Sequence, residues 1–203
     1  MLGFGRRDGL GDAAITRVRD LAKQFPAIDD AIRRFIERQH IFFTASAAAG
    51  TRVNISPRST GDFRVLGPHS ICYLDLTGSG NETAAHLIAD GRLTIMFCAF
   101  DGPPKILRLY GQGVSHRHDS ARFRALLDEH FDGDAPLGTR KIVELQVEIV
   151  QTSCGYGVPE FDYVGERTVL DDWAAKKGED GIQDYWREKN LVSMDGLPTG
   201  LFD

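Results

Sequence analysis

Hydrophobic and polar residues follow two different periods along the chain, first that of a helix and then that of a β-strand. Over 12–25 and 28–39 the apolar side chains recur every three or four residues, which predicts two helices separated at Pro26. The segments 40–46 and 51–56 are short and rich in aromatic or β-branched residues, and the small residues AAAG lie between them. These two segments are therefore predicted to form a β-hairpin.

The rest of the chain continues as short strands with helices at the margins. Strands are predicted over 63–66, 71–76, 93–100, 106–116 and 141–150, and helices over 82–90, 119–131 and 168–190. Because the helices do not alternate regularly with the strands, the pattern favours a mainly β fold, an antiparallel barrel of about six strands with peripheral helices. We expect one domain, with the barrel and its N-terminal helices in 1–165 and a helical extension and tail in 166–203.

The segment 141–150 has the clearest alternation of the predicted strands. Its apolar side chains are expected to face the core and its polar ones to face water. The core set consists of Val143, Leu145, Val147 and Ile149, and the exposed set of Glu144, Gln146 and Glu148.

Composition and charge exclude several classes of protein. The 42% hydrophobic and 26% charged residues are typical of a globular chain, and no apolar run approaches the ~20 residues that span a bilayer. The N-terminus lacks the apolar segment of a signal peptide, and the three cysteines form no CxxC pair, so we expect a reduced, cytoplasmic protein without a cysteine zinc site. The acidic 160–203 and the absence of a basic stripe argue against nucleic acid as a partner.

The segment TRVNISPR carries the first candidate for a binding site. Alternate residues of a strand face the same side, so Arg52, Asn54, Ser56 and Arg58 are expected to share one polar face. Guanidinium groups bind phosphate oxygens with paired, charged hydrogen bonds, so this face suits a phosphate or a ribityl chain. The alternative is a solvated face of an edge strand, a position that Pro57 also fits.

The loop TGSGNET, between a predicted strand and a predicted helix, is the second candidate. Its glycines allow the backbone to approach an anion, the N–H groups at a helix N-terminus complement negative charge, and Thr77, Ser79 and Thr83 offer hydroxyl groups. The spacing matches neither the P-loop nor the dinucleotide fingerprint. A loop that only caps the helix is the alternative.

Other chemistry-bearing residues indicate no catalytic set. Cys154 in SCGYGVP is a candidate nucleophile, but a packed thiol is favoured because no base or positive partner can be identified from the sequence. His116 and His118 share a strand face without a third ligand, and His86 is expected to be an interior residue. We therefore predict no metal site and assign no catalytic residue.

Taken in order, these segments resemble the pyridoxamine 5′-phosphate oxidase-like family of FMN-binding split barrels over roughly residues 30–150. The likeness rests on RVNISPRSTGDF, on TGSGNETAAHL and on RLYGQG, and it extends to SCGYGVP and DGLP, which one branch of unassigned substrate shares. It implies a six-stranded antiparallel split barrel, a homodimer, and FMN in a groove between the subunits.

The resemblance also implies a set of cofactor-binding residues. These are Arg52, Asn54, Ser56, Arg58, Thr77, Ser79, Glu82, Thr83, Arg108 and Gln112. Where the oxidase presents an Arg-Lys pair at the helix-opening loop, this chain has Asn81-Glu82-Thr83, so the phosphate charge is expected to be met by Arg58, Arg52 or the partner subunit. The oxidase's C-terminal substrate-binding residues have no match, which argues against oxidation of vitamin B6.

Two functions remain open at this point. The leading hypothesis is an FMN-dependent oxidoreductase that passes a hydride or electrons to an unknown small-molecule substrate. The alternative is a non-catalytic protein that binds flavin, deazaflavin or haem, with His69, His86 or His116 as a haem ligand.

Overall fold

The computed structural model describes residues 23–202, which form one curled antiparallel sheet with four helices around it. The strands are β1 Lys23–Phe25, β2 Ile41–Ser46, β3 Asn54–Ser59, β4 Phe63–Gly67, β5 Ser70–Leu76, β6 Arg92–Cys98, β7 Ile106–Arg117 and β8 Thr139–Ser153. The helices are α1 Asp30–Glu37, α2 Glu82–Ala89, α3 Ala121–His130 and α4 Val169–Lys189. Among these residues, no helix is long and apolar enough to cross a membrane.

The strands are ordered β3-β2-β6-β7-β8-β5-β4, and β1 pairs with the far end of β8. Every pairing is antiparallel, and the described strands β3 and β4 at the two ends of the path do not pair with each other. The sheet is thus a barrel that is split along one side, as predicted. It contains eight strands rather than six, because the predicted hairpin, five further strands and β1 all join it.

The strand β1 corrects part of the predicted first helix. The helix predicted over 12–25 falls mostly outside the described residues, but its last three residues are extended and pair with Val150 to Thr152 of β8. The part of β8 that extends beyond β5 has unpaired backbone N–H and C=O groups along that edge, and β1 pairs with them. Pro26 then ends the strand. Here long-range pairing outweighs the local helical pattern.

A β-bulge in β8 also corrects the predicted alternation. The pairing register shifts between Tyr110, which lies opposite Ile149, and Gly111, which lies opposite Val147, so that Glu148 is the extra residue. Ile149 is consequently 41% exposed, and Val150 takes the next buried position instead. Gly111 is required at this bulge, since a Cβ there would lie 1.8 Å from the Gln146 carbonyl oxygen.

The main core fills the inside of the curled sheet. Phe42, Tyr73 and Phe97 are fully buried there, and edge-to-face contacts join the Phe42 ring to Phe63 and Tyr73. The helix α1 closes this core, with Asp29 accepting a hydrogen bond from the Ile32 N–H as its N-cap. A second cluster packs α3 against the sheet.

The C-terminal residues form a third cluster on the outside of the barrel. The helix α4 contains a kink at Gly178 and buries Ala174, Ile182 and Trp186 together with Leu201 of the following segment. The Trp186 Nε1–H donates to the Thr77 hydroxyl over 2.7 Å. The helix and the tail therefore attach directly to the loop that precedes α2.

Candidate functional site

A polar cavity of about 340 Å³ lies where the two sides of the split barrel face each other. One wall is the inner face of β3, and the opposite walls are the end of β5, the start of β8 and the loop that leads into α2. Its lining residues are Asn54, Ser56, Arg58, Asp75, Gly78, Ser79, Gly80, Asn81, Glu82, Thr83 and Arg140. We call this space the split cavity.

A buried carboxylate between two arginines joins the walls of the split cavity. The Arg58 Nη2 lies 2.8 Å from one oxygen of Asp75, and the Arg140 Nη2 lies 3.2 Å from the other. Burial by itself would raise the pKa of Asp75, but the charges of Arg140 and Arg58 outweigh it and hold the pKa below its ordinary value. The three charges sum to one positive charge, and the Glu82 carboxylate, which also lines the cavity, balances it.

Hydroxyl and amide groups line the rest of the split cavity. The Asn54 Nδ2 donates to the hydroxyl groups of Ser56 and Thr83, both over 3.2 Å, and so connects β3 to the first turn of α2. The helix α2 begins after Asn81, whose side chain makes no capping hydrogen bond. The N–H groups of that first turn therefore lack a side-chain cap at the positive end of the helix.

The tail of the chain covers one side of the same loop. The Asn190 side chain accepts from Arg140 Nη1 over 2.9 Å and donates to the Gly78 carbonyl over 3.1 Å. The Glu82 carboxylate accepts from the Met194 N–H at 3.0 Å, and Asp195 forms an ion pair with Arg52.

Six of the ten predicted cofactor-binding residues come together in the split cavity. They are Asn54, Ser56, Arg58, Ser79, Glu82 and Thr83. Arg52 precedes β3 and pairs with Asp195 outside the cavity, and Thr77 accepts from Trp186 behind the loop. Arg108 and Gln112 lie on the outward face of β7, where Arg108 donates to Ser153.

Sequence reasoning missed two charged residues of this cavity, Asp75 and Arg140. Arg140 is 3% exposed, and besides Asp75 and Asn190 it donates to the Gly80 carbonyl over 2.8 Å. No motif marks Arg140. The only sequence signal is that two consecutive charged residues, Arg140 and Lys141, interrupt the alternation of polar and apolar residues at the start of this strand.

The donors of the split cavity fit a phosphate group. The Arg140 Nε is buried and has no hydrogen-bond partner among the described residues, so this cavity-lining arginine keeps one unsatisfied donor. Arg58, the three hydroxyl groups and the uncapped helix end add further donors of the kind that bind phosphate oxygens. The volume lies at the lower end of the roughly 300–1,000 Å³ of small-molecule sites, which suits a phosphate and a short polyol chain.

A larger cavity of about 690 Å³ adjoins the split cavity and shares Arg58 with it. It lies under the segment 155–168, where Tyr163 stacks on His40 at 3.6 Å between ring centroids and Phe161 contacts Phe100. This aromatic lining differs from the polar lining of the split cavity.

Comparison with known proteins assigns the family. The sequence model of pyridoxamine 5′-phosphate oxidase matches residues 28–154, which contain every strand of the barrel except β1. The chain belongs to this family. A relative, the pyridoxamine 5′-phosphate oxidase family protein ustO of Aspergillus flavus, is 32% identical over 192 residues, covering 86% of this chain and 76% of ustO.

Two solved structures are similar at lower identity. HupZ of Group A Streptococcus is 17% identical with a TM-score of 0.48, covering 60% of this chain and 91% of HupZ. HutZ, the heme storage protein from Vibrio cholerae, is 19% identical with a TM-score of 0.43, covering 60% of this chain and 92% of HutZ.

Proposed function

We propose that this family member is an FMN-dependent oxidoreductase of the cytoplasm, acting on a small-molecule substrate that the sequence does not identify. The observation that carries the proposal is the split cavity, which is lined by the partly buried Arg58, by the buried Arg140 with its unsatisfied Nε–H, and by the uncapped N-terminus of α2. Family membership supports a flavin rather than another phosphate-bearing ligand.

In this proposal the split cavity holds the phosphate and ribityl end of FMN. Arg58 and Arg140 bind the phosphate charge, while Ser56, Ser79 and Thr83 donate hydroxyl hydrogen bonds. Arg140 thereby takes the role of the Arg-Lys pair that the loop lacks. Asn54 orients two of these hydroxyl groups through its amide.

The proposal includes a homodimer with the flavin at the subunit interface. The outward face of the sheet carries a row of paired residues across five strands, from Ile55 through Ala45, Thr94 and Tyr110 to Ile149. Ile55 is 64% exposed and Ile149 is 41% exposed, so this face presents apolar side chains that a second copy would cover. Arg108 and Gln112 lie on the same face and would contact the flavin bound by the partner.

When bound, FMN would supply the hydride or electron transfer, between a reduced nicotinamide and an acceptor. The residues of this chain bind and orient the cofactor. Asp75 keeps both guanidinium groups in place, and the sheet and α2 exclude water from the phosphate end.

An absorption spectrum of the freshly purified protein, followed by one of its heat-released supernatant, tests the proposal. We expect two flavin bands that pass into the supernatant. In the intact protein these bands should bleach when a reduced nicotinamide is supplied and return when an acceptor is added. A protein that neither copurifies with flavin nor binds added FMN would refute the proposal.

The alternative is a non-catalytic protein that binds flavin, deazaflavin or haem. A bound flavin that no nicotinamide reduces would favour a flavin carrier, and a Soret band would favour haem. Of the three candidate haem ligands, His86 is buried against Ser46, His116 pairs with Glu144 and His69 is exposed. None of them lines the split cavity or the larger cavity, so the described geometry favours the flavin.

A further inference from the structure

Asn190 connects the C-terminal tail to Arg140 and to the loop backbone of the split cavity. Asn190 ends α4, is fully buried, and uses every polar group of its side chain within the site. Its Oδ1 accepts from Arg140 and its Nδ2 donates to the Gly78 carbonyl. Its own carbonyl accepts from the Asn81 side chain over 3.3 Å and from the Thr199 hydroxyl over 2.6 Å.

These bonds fix the two components of the cavity that an anion would contact. Arg140 Nη1 is shared between Asn190 and the Gly80 carbonyl, so the guanidinium group and the loop are held against each other. The loop contains Gly78 and Gly80, and glycine backbone loses more conformational entropy on ordering than any other residue. A loop of this composition needs outside contacts to keep one conformation.

We propose that Asn190 is the positioning residue of the cofactor site, which sets Arg140 and the Gly78–Gly80 backbone for the phosphate group of the ligand. This inference rests on the proposed binding of FMN. It gives the C-terminal extension a role in the site, which is recognition of the phosphate. Pre-organised donors bind an anion more tightly because they are not reordered on binding.

The test compares FMN with riboflavin, which has the same ring and no phosphate. Titrations of the full-length wild type and of Asn190→Ala measure both dissociation constants. Loss of an oriented hydrogen bond to a charged group predicts about a tenfold higher dissociation constant for FMN. The dissociation constant for riboflavin is expected to stay within about twofold, since the phosphate contacts are absent from it.

Leu201→Ala is the matched control. Leu201 is buried in the same C-terminal cluster and is not among the residues that line the split cavity, so this variant is expected to loosen the tail while it keeps the bonds of Asn190. Thermal denaturation without ligand compares the stability of the two variants. At a similar loss of stability, only Asn190→Ala is expected to bind FMN more weakly.

Asn190→Asp provides a second variant if Asn190→Ala does not fold. It keeps an acceptor for Arg140, loses the donor to Gly78 and adds a negative charge beside the anion site, so FMN affinity should fall by more than tenfold. Equal FMN affinity of the wild type and the Asn190 variants, or an equal loss for FMN and riboflavin, would overturn the inference. A wild type that does not bind FMN would instead refute the proposed function.

Discussion

Replacement of Asp75 by asparagine should destabilise the protein strongly, although it replaces only one carboxylate oxygen by an NH2 group. Asp75 lies 2.8 Å from Arg58 and 3.2 Å from Arg140, and Asp75 and Arg140 are almost completely buried. Removing one partner of a buried ion pair costs about 3–5 kcal/mol, because the remaining charge is left uncompensated. Arg140 keeps its bonds to Gly80 and Asn190, so we expect about 3 kcal/mol, the lower end of that range.

Urea denaturation in phosphate-free buffer measures this loss, with equal m-values required for the comparison. The control is Asp184→Asn. Asp184 forms an ion pair with Arg187, and the Asp184 side chain is 82% exposed. Exposed pairs contribute about 0–1 kcal/mol, so the control should unfold almost as the wild type does. A loss below about 1 kcal/mol for Asp75→Asn would refute the argument that the two sides of the barrel are joined by buried charge.

The same substitution should change the dependence of stability on pH. The pKa of Asp75 is lower in the folded protein than in the unfolded chain, where it is about 3.9. The stabilisation by Asp75 is therefore complete above about pH 4 and is lost as the pH falls through the folded value. The free energy of unfolding of the wild type should fall more steeply below pH 4 than that of Asp75→Asn, and parallel profiles would contradict this.

Asp75→Asn should also respond more strongly to anions than the wild type does. Without the Asp75 carboxylate, the charges of Arg58, Arg140 and Glu82 in the split cavity sum to one positive charge instead of zero. Inorganic phosphate, which binds the folded protein by mass action, should recover more stability in the variant than in the wild type. An equal response would show that phosphate does not bind between these arginines.

Three further substitutions test the site, the bulge and the dimer. Arg58→Met should weaken FMN binding by roughly 1.5–3 kcal/mol through the loss of a charged hydrogen bond, and a titration that shows unchanged affinity would remove Arg58 from the phosphate site. Gly111→Ala should cost at least about 1–3 kcal/mol of unfolding free energy, because its Cβ would meet Gln146 at the β-bulge; wild-type stability in urea would contradict the bulge. Ile55→Glu should yield a monomer in analytical ultracentrifugation while Ile88→Glu, with a 55% exposed side chain on α2, stays dimeric; a persistent Ile55→Glu dimer would place the interface elsewhere.

The strands and the polar face of β3 could be predicted because both depend on local alternation. Asn54, Ser56 and Arg58 line one cavity since side chains two residues apart point the same way. The bulge at Glu148 lay outside such reasoning, because it arises from the pairing of β8 with β7. The predicted burial of Ile149 was wrong because of this bulge. The predicted helix over Lys23–Phe25 was wrong because these residues pair with β8 instead.

The charge cluster could not be predicted from local patterns. Asp75, Arg140 and Arg58 come from three strands, and β3 is not paired with the other two. These three side chains come into contact only because the sheet curls, and the degree of curling cannot be predicted from the spacing of residues in the sequence. The tail posed the same difficulty: the pairing of Arg52 with Asp195 joins residues 143 positions apart, and it turns a predicted phosphate ligand toward the C-terminal extension.

In the proposed function, the charge cluster would replace the Arg-Lys pair that the oxidase presents at this loop. In the oxidase the cationic groups belong to the helix-opening loop, whereas here Arg140 extends from β8 and is bonded to the loop backbone at Gly80. The charge is thus supplied by a rigid strand, and Asp75 and Asn190 hold its orientation before any ligand arrives. Because the same arginines close the split of the barrel, ligand affinity and fold stability depend on the same few contacts. Asp75→Asn, which removes the ion pair of Arg140, should therefore lower the stability of the fold and raise its affinity for anions. Asn190→Ala, which removes the hydrogen bond to Arg140, should lower both the stability and the anion affinity.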